Sequence, residues 1–254
     1  SMGNEKPDIV EGNDLPDFNP DDEYLQEIKS PIFYAVQKNI NIQTGQPTIL
    51  DFDMQRISQR INIVFNIRTE GNIKREDLAA PIIELSGACG RFNIADACLD
   101  TTRLYRMAHQ VQPDEFTQTG ENTYRCVVHF HTLGVIPSAA KGHLNGPGIL
   151  QVALQVSANR LDASGAPVLD QDGKPVKNSR YIYGAINPYD ELTAAQLIEV
   201  RDGKTYLRYS KDDVNIEITS PLVIKADQIV PNDTGMGWQP HDPTNPDDDI
   251  IIEI

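Results

Sequence analysis

The 254-residue sequence predicts an all-β fold, antiparallel sheets packed as a sandwich, and three observations carry that prediction. The stretch I-S-Q-R-I-N-I-V-F-N-I-R (57–68) sets Ile57, Ile61, Ile63, Phe65 and Ile67 on odd positions, with Ser58, Arg60, Asn62, Asn66 and Arg68 on even ones. Successive side chains of a strand point to opposite faces, so this is a strand with one apolar face on a core and one in water. The preceding T-I-L-D-F-D-M-Q-R (48–56) alternates in the opposite phase, with Leu50, Phe52 and Met54 even and Asp51, Asp53 and Gln55 odd. A one-residue slip turns every side chain to the other face, so near Gln55 and Arg56 the chain either bulges or crosses to a facing sheet. Third, roughly ten short strand-like runs are separated by Gly, Pro, Asn and Asp, and a helix competes in only one segment.

Taken in order, residues 1–45 read as an acidic N-terminal arm or linker, in which Asp21 to Ile28 has the composition for a helical turn or two. Ser1-Met2-Gly3 has the look of a cloning remnant, which would leave the natural N-terminus and any export signal outside this sequence. Pro31 to Ile42 regains apolar character as an extended lead-in closed by Thr44-Gly45. Residues 46–254 read as the sandwich domain, subdivided, if at all, within the Gly- and Pro-rich loop 134–148. After the turn Glu70-Gly71-Asn72 come a strand from Pro81 to Gly87, a short R-F-N-I, and a loop to Arg106. From Asn122 to Thr132, Tyr124, Cys126, Val128 and Phe130 make one strand face and Arg125, Val127, His129 and His131 the other. Leu150, Val152, Leu154 and Val156 repeat the pattern against Gln151, Gln155 and Ser157.

Asp162 to Gly165, Asp172-Gly173 and Asp202-Gly203 are turn chemistry, and the last pair joins Leu197–Val200 to Thr205–Tyr209 as a hairpin. Asp190 to Val200 is the segment where a short helix competes, with Asp190 as its cap. Val214, Ile216 and Ile218, then Pro221 to Ile224, resume strand character before a polar tail from Pro231 to Asp249. The chain closes on Ile250-Ile251-Ile252-Glu253-Ile254, where Ile250, Ile252 and Ile254 share one face of a final strand. Such a strand either completes its own sheet or is donated to an edge of another subunit. Completion is the expectation, because a permanently exposed isoleucine strand aggregates.

Composition excludes some functions. With 22 Lys and Arg against 37 Asp and Glu, the formal charge is -15, and no basic face is available to neutralise phosphates, so no nucleic-acid partner is expected. No apolar run approaches the roughly 20 residues of a membrane-spanning helix. Three cysteines, Cys89, Cys98 and Cys126, are too few for a disulfide framework. Cys89 and Cys98 flank a short excursion and either pair, if the protein is exported, or stay as small buried thiols.

Motifs for chemistry are sparse. His129 and His131 lie on one strand face, a workable geometry for two metal ligands, with His109, His143 or an Asp as the unplaced third. Hydration is the expected state of both imidazoles, and no functional metal is expected there. Asp170-Gln171-Asp172-Gly173 lacks the further ligands of a calcium loop, and Asp247-Asp248-Asp249 reads as a solvated charge run. There is no nucleophile elbow, phosphate loop, dinucleotide fingerprint or C-x-x-C, so no catalytic, cofactor-binding or metal residue is assigned and the protein is expected not to be an enzyme. The residues singled out are the core strand Ile61, Ile63, Phe65 and Ile67 and the terminal strand Ile250, Ile252 and Ile254.

Three stretches carry a family resemblance. Asp53-Met54-Gln55-Arg56 leads into the long strand, and A-P-I-I-E-L-S-G-A-C-G-R-F-N-I (80–94) follows it. F-H-T-L-G (130–134) precedes I-L-Q-V-A-L-Q-V, and P-L-V-I, a Gly-containing segment with Trp238 and an apolar last strand close the chain. In this order the motifs, spanning Pro47 to Ile254, resemble the fimbrillin-like fimbrial subunits and fimbrium accessory or anchor lipoproteins of Bacteroides-type bacteria. The closing G-M-G-W-Q-P departs from that family's glycine run, and no lipobox cysteine is visible. The resemblance implies a transthyretin-like β-sandwich, export to the outer membrane or cell surface, and a lipid anchor lying outside this sequence as the sole membrane attachment. It further implies a non-enzymatic structural or adhesion role, with other fimbrial subunits or surface proteins as partners, and no catalytic residues or cofactors to carry over. The alternatives are a surface glycan-binding module and, behind it, a hydrolase; one Trp and 7% aromatics supply little of the aromatic platform that glycan binding uses.

Overall fold

The computed structural model describes residues 9–11, 23–71, 73–159, 162, 164, 166–208, 213–225, 228–230 and 239–240. In chain order the strands are β1 (Ile9–Glu11), β2 (Glu23–Leu25), β3 (Phe33–Tyr34), β4 (Gln55–Arg56), β5 (Gln59–Glu70), β6 (Ile82–Cys89) and β7 (Phe92–Asn93). There follow β8 (Cys98–Leu99), β9 (Leu104–Gln110), β10 (Phe116–Gly120), β11 (Thr123–Thr132), β12 (Leu150–Asn159) and β13 (Lys177–Ile186). After the helix α1 (Tyr189–Ala195) come β14 (Ile198–Arg201), β15 (Lys204–Leu207), β16 (Asp213–Glu217), β17 (Leu222–Lys225), β18 (Gln228–Val230) and β19 (Gln239–Pro240). Among the described residues no helix is long and apolar enough to cross a membrane.

Two large sheets face each other. One runs β1-β2-β9-β6-β12-β13-β19 and the other β10-β11-β5-β17-β18, with β16 also on β5. Their inner faces share one core: Ile83, Leu85, Met107, Leu150, Val152 and Leu154 from the first meet Ile61, Ile63, Phe65, Ile67, Tyr124, Val128 and Phe130 from the second. Strands β5 and β11 pair antiparallel from Gln59↔Thr132 to Arg68↔Thr123, so the odd positions of one and the even positions of the other line the core together. Ile61, Ile63, Phe65 and Ile67 have no exposed surface. A small sheet, β14-β15-β8-β7, and the two-stranded β3-β4 close one end, over a second cluster that includes Tyr34, Ile57, Cys89, Leu99 and Leu207.

Several expectations need correction. The pairing is not antiparallel throughout: β16 and β17 run parallel to β5, on its edge opposite β11, and β2 runs parallel to β9. Parallel neighbours need a long crossover, and here β6 to β15 intervene in sequence between β5 and β16. Pro221 divides the β16–β17 edge because it cannot donate to a ladder. Residues 23–25 are strand rather than helical turn, with Tyr24 and Leu25 buried. Tyr24 donates its hydroxyl to Glu84 Oε2 at 2.6 Å, Arg106 also pairs with Glu84, and that carboxylate is fully buried in β6. The supposed loop to Arg106 contains β8 and the start of β9, and β10 and β13 are further strands that no alternation announced. Asp190 lies inside α1 rather than capping it; the N-cap is Pro188. Asp202 and Gly203 do form the expected tight hairpin turn, both with positive φ (49° and 71°).

The L-S-G motif has a definite cause. The β6–β9 register shifts between Ser86 and Ala88, and Gly87 sits at φ 85°, where an added Cβ would lie 2.6 Å from the Ile136 carbonyl oxygen. Ser86 Oγ donates to the Gly146 carbonyl at 2.7 Å and accepts from the Ile149 N–H at 2.9 Å. The bulge is therefore the seat for the 134–148 loop.

Candidate functional site

Between Pro31 and Arg56 the chain forms a long arm that turns back at Gln43–Gln46, so that its two ends pair with each other. Its base is anchored: Ile57 N–H donates to the Ile32 carbonyl (2.8 Å), Ile32 N–H to Ser58 Oγ (3.0 Å), and β3 pairs with β4 through Phe33↔Arg56 and Tyr34↔Gln55. Tyr34 adds an edge-on contact with Phe92 and donates its hydroxyl to the Ile94 carbonyl at 2.8 Å. Lys38 Nζ reaches the Ala95 carbonyl at 3.3 Å. The upstream alternation at Leu50, Phe52 and Met54 is not a paired strand, contrary to expectation; only Gln55 and Arg56 enter a ladder. The phase slip marks the passage from this arm into β5, not an exchange between the two facing sheets.

The arm concentrates exposed apolar surface. Ile32, Phe33, Val36, Ile40, Ile42, Ile49, Leu50, Phe52 and Met54 are all at least 38% exposed, with Ile42 at 76% and Ile49 at 85%. The other exposed large hydrophobics among the described residues are Ile94, Leu169 and Val200. Exposed hydrophobics scattered singly are ordinary, but nine of the twelve among the described residues fall in this one segment. Its polar residues are biased too: Asn39 to Gln55 contains Asp51 and Asp53 and no Lys or Arg.

The other sequence candidates fall in different places. Ile250, Ile252 and Ile254, Trp238 and Asp247 to Asp249 lie outside the described residues. Cys89, Cys98 and Cys126 are buried free thiols; burial, with Asp100 nearby, pushes Cys89 up to about 12, and burial likewise raises Cys126. Asp170 accepts from the N–H groups of Asp172 (2.9 Å) and Lys174 (2.8 Å), as a turn-forming Asp does. His143 is exposed on the long loop. His131 and Ser58, both expected in water, are buried, because the N-terminal segment crosses over them. Ile28 N–H donates to the His131 carbonyl, and His131 Nε2 meets Ser58 Oγ at 3.0 Å. Burial, helped by Arg56 and Arg60, lowers the His131 pKa.

His129 instead faces a seam between the sheets. Glu115, in the turn from β9 to β10, is 2.8 Å from His109 Nε2 through Oε2 and 3.9 Å from His129 Nε2 through Oε1. His129 Nδ1 lies 2.7 Å from Asn62 Oδ1, and Asn62 Nδ2 donates to Asn215 Oδ1 at 2.8 Å. Burial alone would raise Glu115; hydrogen bonds from His109 and the Gln112 N–H, with the two imidazoles beside it, hold it below the ordinary range. Desolvation by the surrounding protein raises Glu27, though its residue surface is largely exposed, against the pull of His109, Arg60 and His129. Sequence reasoning saw His129 and His109 but not Glu115 or Glu27, since four separate segments meet here and no spacing links them.

No family model and no curated protein matches this chain. A solved structure of a candidate adhesin from Bacteroides ovatus is similar over 90% of this chain and 72% of that one, at 9% identity and a TM-score of 0.39, a likeness too weak to assign a fold family.

Proposed function

We propose that the protein is a non-enzymatic structural or adhesion protein of the cell surface, of fimbrial-subunit or fimbrium-anchor type, acting through strand-mediated association. The observation that carries this reading is the arm 31–56, which holds large exposed apolar side chains, alternates like a strand over 48–56, and among the described residues is paired in a ladder only through β3 and β4. Exposed apolar surface on this scale in a chain of net charge -15 costs solubility, and is understandable where a partner covers it. The resemblance to fimbrillin-like proteins supports the cell-surface setting and subunit partners.

The occupant we assign is an extended strand of another surface protein, adding to the Ile49–Met54 edge with alternate aliphatic residues against Leu50, Phe52 and Met54. Lys or Arg on its opposite face would meet Asp51 and Asp53. A second copy fits less well, since it brings two strongly acidic chains together. A photo-crosslinking residue placed at Phe52 in the producing cells, with Val200 as the control position, tests this. Adducts at Phe52 alone, mapping to an alternating apolar segment of a different surface protein, are expected. Self-adducts would replace the occupant with a second copy, and no adduct at Phe52 would remove the arm as the associating element.

A further inference from the structure

The loop 134–148 is pinned on both sides of an open tip. On one side Asn187 Nδ2 donates to the Ala140 carbonyl at 2.8 Å, and Lys141 Nζ pairs with Asp190 at 2.6 Å. On the other, Ser86 Oγ donates to the Gly146 carbonyl at 2.7 Å and the Gly148 N–H donates to the Ser86 carbonyl at 3.0 Å. Between these pins Gly142, His143 and Asn145 are exposed, and nothing lies within 4 Å of where a Cβ would stand on Gly142 or Gly146. Among the described residues neither the Asn145 carboxamide nor the Gly146 N–H takes part in a hydrogen bond. Asn145-Gly146 is also the single Asn-Gly pair of the sequence. A glycine leaves its backbone nitrogen unshielded and its dihedrals free, so the carboxamide before it reaches that nitrogen at little steric cost.

We infer that Asn145 is a site of self-modification, at which its side chain closes onto the Gly146 nitrogen and converts to aspartate and isoaspartate. A bond forms between the Gly146 nitrogen and Asn145 Cγ as the Cγ–Nδ2 bond breaks. The Gly146 N–H proton passes through solvent to the departing nitrogen, which leaves as ammonia, and a succinimide remains. Water then opens that ring. Addition at Cγ breaks the new bond and leaves aspartate, whereas addition at the Asn145 backbone carbonyl carbon breaks the original peptide bond and leaves isoaspartate, with the chain running through Cγ. No electrons are transferred, and water is the one co-reactant. Other asparagines are placed differently. Asn62 and Asn93 spend Nδ2 on Asn215 and Asp96. Asn187 precedes Pro188, whose nitrogen has no proton to lose. Asn39 and Asn41 are exposed, yet each precedes an isoleucine whose β-branch crowds the backbone. The consequence lies in the fold. Both products add a negative charge, but isoaspartate also lengthens the main chain by one carbon beside the carbonyl that Ser86 holds on the Gly87 bulge. Isoaspartate therefore loosens the seat of the loop, and aspartate does not.

The test ages the full chain in neutral to mildly alkaline buffer and follows the fragment 142–160, released by trypsin after Lys141 and Arg160, by mass spectrometry. Isoaspartate is read separately by enzymatic methyl transfer. Conversion at Asn145 to both products, with Asn39 and Asn41 unchanged, is expected. Asn145→Gln, whose longer side chain must close a larger ring, should lose the conversion, and Gly146→Ala should slow it severalfold. Alanine is strained at the Gly146 φ of 91°, so Asn145→Gln carries the result should Gly146→Ala fail to fold. Amide hydrogen exchange then compares the isoaspartate chains with Asn145→Asp, which has the charge without the extra carbon. Faster exchange at Gly148 and Ile149 in the isoaspartate chains alone is expected. An Asn145 that keeps its amide in the folded chain overturns the site, whether or not the same chain converts in denaturant, and so does equal conversion at Asn39 or Asn41. Equal exchange in the isoaspartate and Asn145→Asp chains overturns the loosened seat.

Discussion

Leu50-Asp51-Phe52-Asp53-Met54 and Ile61-Asn62-Ile63-Val64-Phe65 are separated by six residues and show nearly the same alternation in opposite phase, yet Phe52 is 53% exposed and Phe65 has no exposed surface. The difference is not in local preference. Strand β5 has β11 along one edge, β16 and β17 along the other, and the opposing sheet over its apolar face. Among the described residues the arm has a two-residue ladder and a few contacts near its base, through Ile32, Tyr34 and Lys38, and no facing sheet covers Ile49–Met54. Alternation thus specifies a strand that can be buried, and burial itself is decided by whether a partner sheet exists in the same chain. Where it does not, the same pattern becomes an open surface.

The largest expected effect separates the two regions outright. Phe65→Ala should destabilise the protein by about 3–5 kcal/mol in denaturant unfolding, by lost transfer energy and the cavity left behind. Phe52→Ala should stay within about 0.5 kcal/mol. Comparable losses would mean that the arm belongs to the folded core and that the contrast is wrong.

A second variant asks whether a short peripheral segment can nonetheless be integral. Strand β2 is only three residues long, but Tyr24 is buried against Glu84. Tyr24→Phe removes one donor from a buried carboxylate and should cost about 1–3 kcal/mol. A silent substitution would place β2 with the arm rather than with the sheet.

The smallest effect is electrostatic and depends on pH. Lys177 Nζ lies 2.7 Å from Asp77 Oδ1. Burial alone would raise Asp77, but the hydrogen bonds from Lys177 and the Lys74 N–H, with the two ammonium charges, lower it overall. A carboxylate depressed in the folded state stabilises above its unfolded pKa, and that contribution is lost as pH falls through the folded value. Lys177 is 43% exposed, so screening keeps the effect of Lys177→Met small at neutral pH. The difference from wild type should vanish in acid, below the ordinary Asp range; a difference that grows there would contradict the pairing.

How much was legible follows the same division. The face assignments of β5, β11 and β12 could be read because each has a clean two-residue period over many positions. Strand β13 could not, since Lys177-Asn178-Ser179-Arg180-Tyr181-Ile182 mixes types without alternation and is held by its full-length pairing with β12. The parallel edge of β16 on β5 joins residues some 150 positions apart, a choice made by topology and not by local pattern. Burial of His131 and Ser58 depends on the N-terminal segment passing over them, and the Glu115 seam on a turn reaching across two sheets. In each case the missing information is which segment comes to lie alongside.

Amide hydrogen exchange of the free protein, resolved over Ile49–Met54 and Ile61–Ile67, tests the central contrast most directly. Complete exchange of the arm on the fastest measurable timescale is expected, with β5 protected near the global unfolding limit and arm protection appearing only in the crosslinked complex. Slow exchange of Ile49–Met54 in the isolated monomer would show that the arm is already paired, and would contradict the claim that it awaits a partner strand.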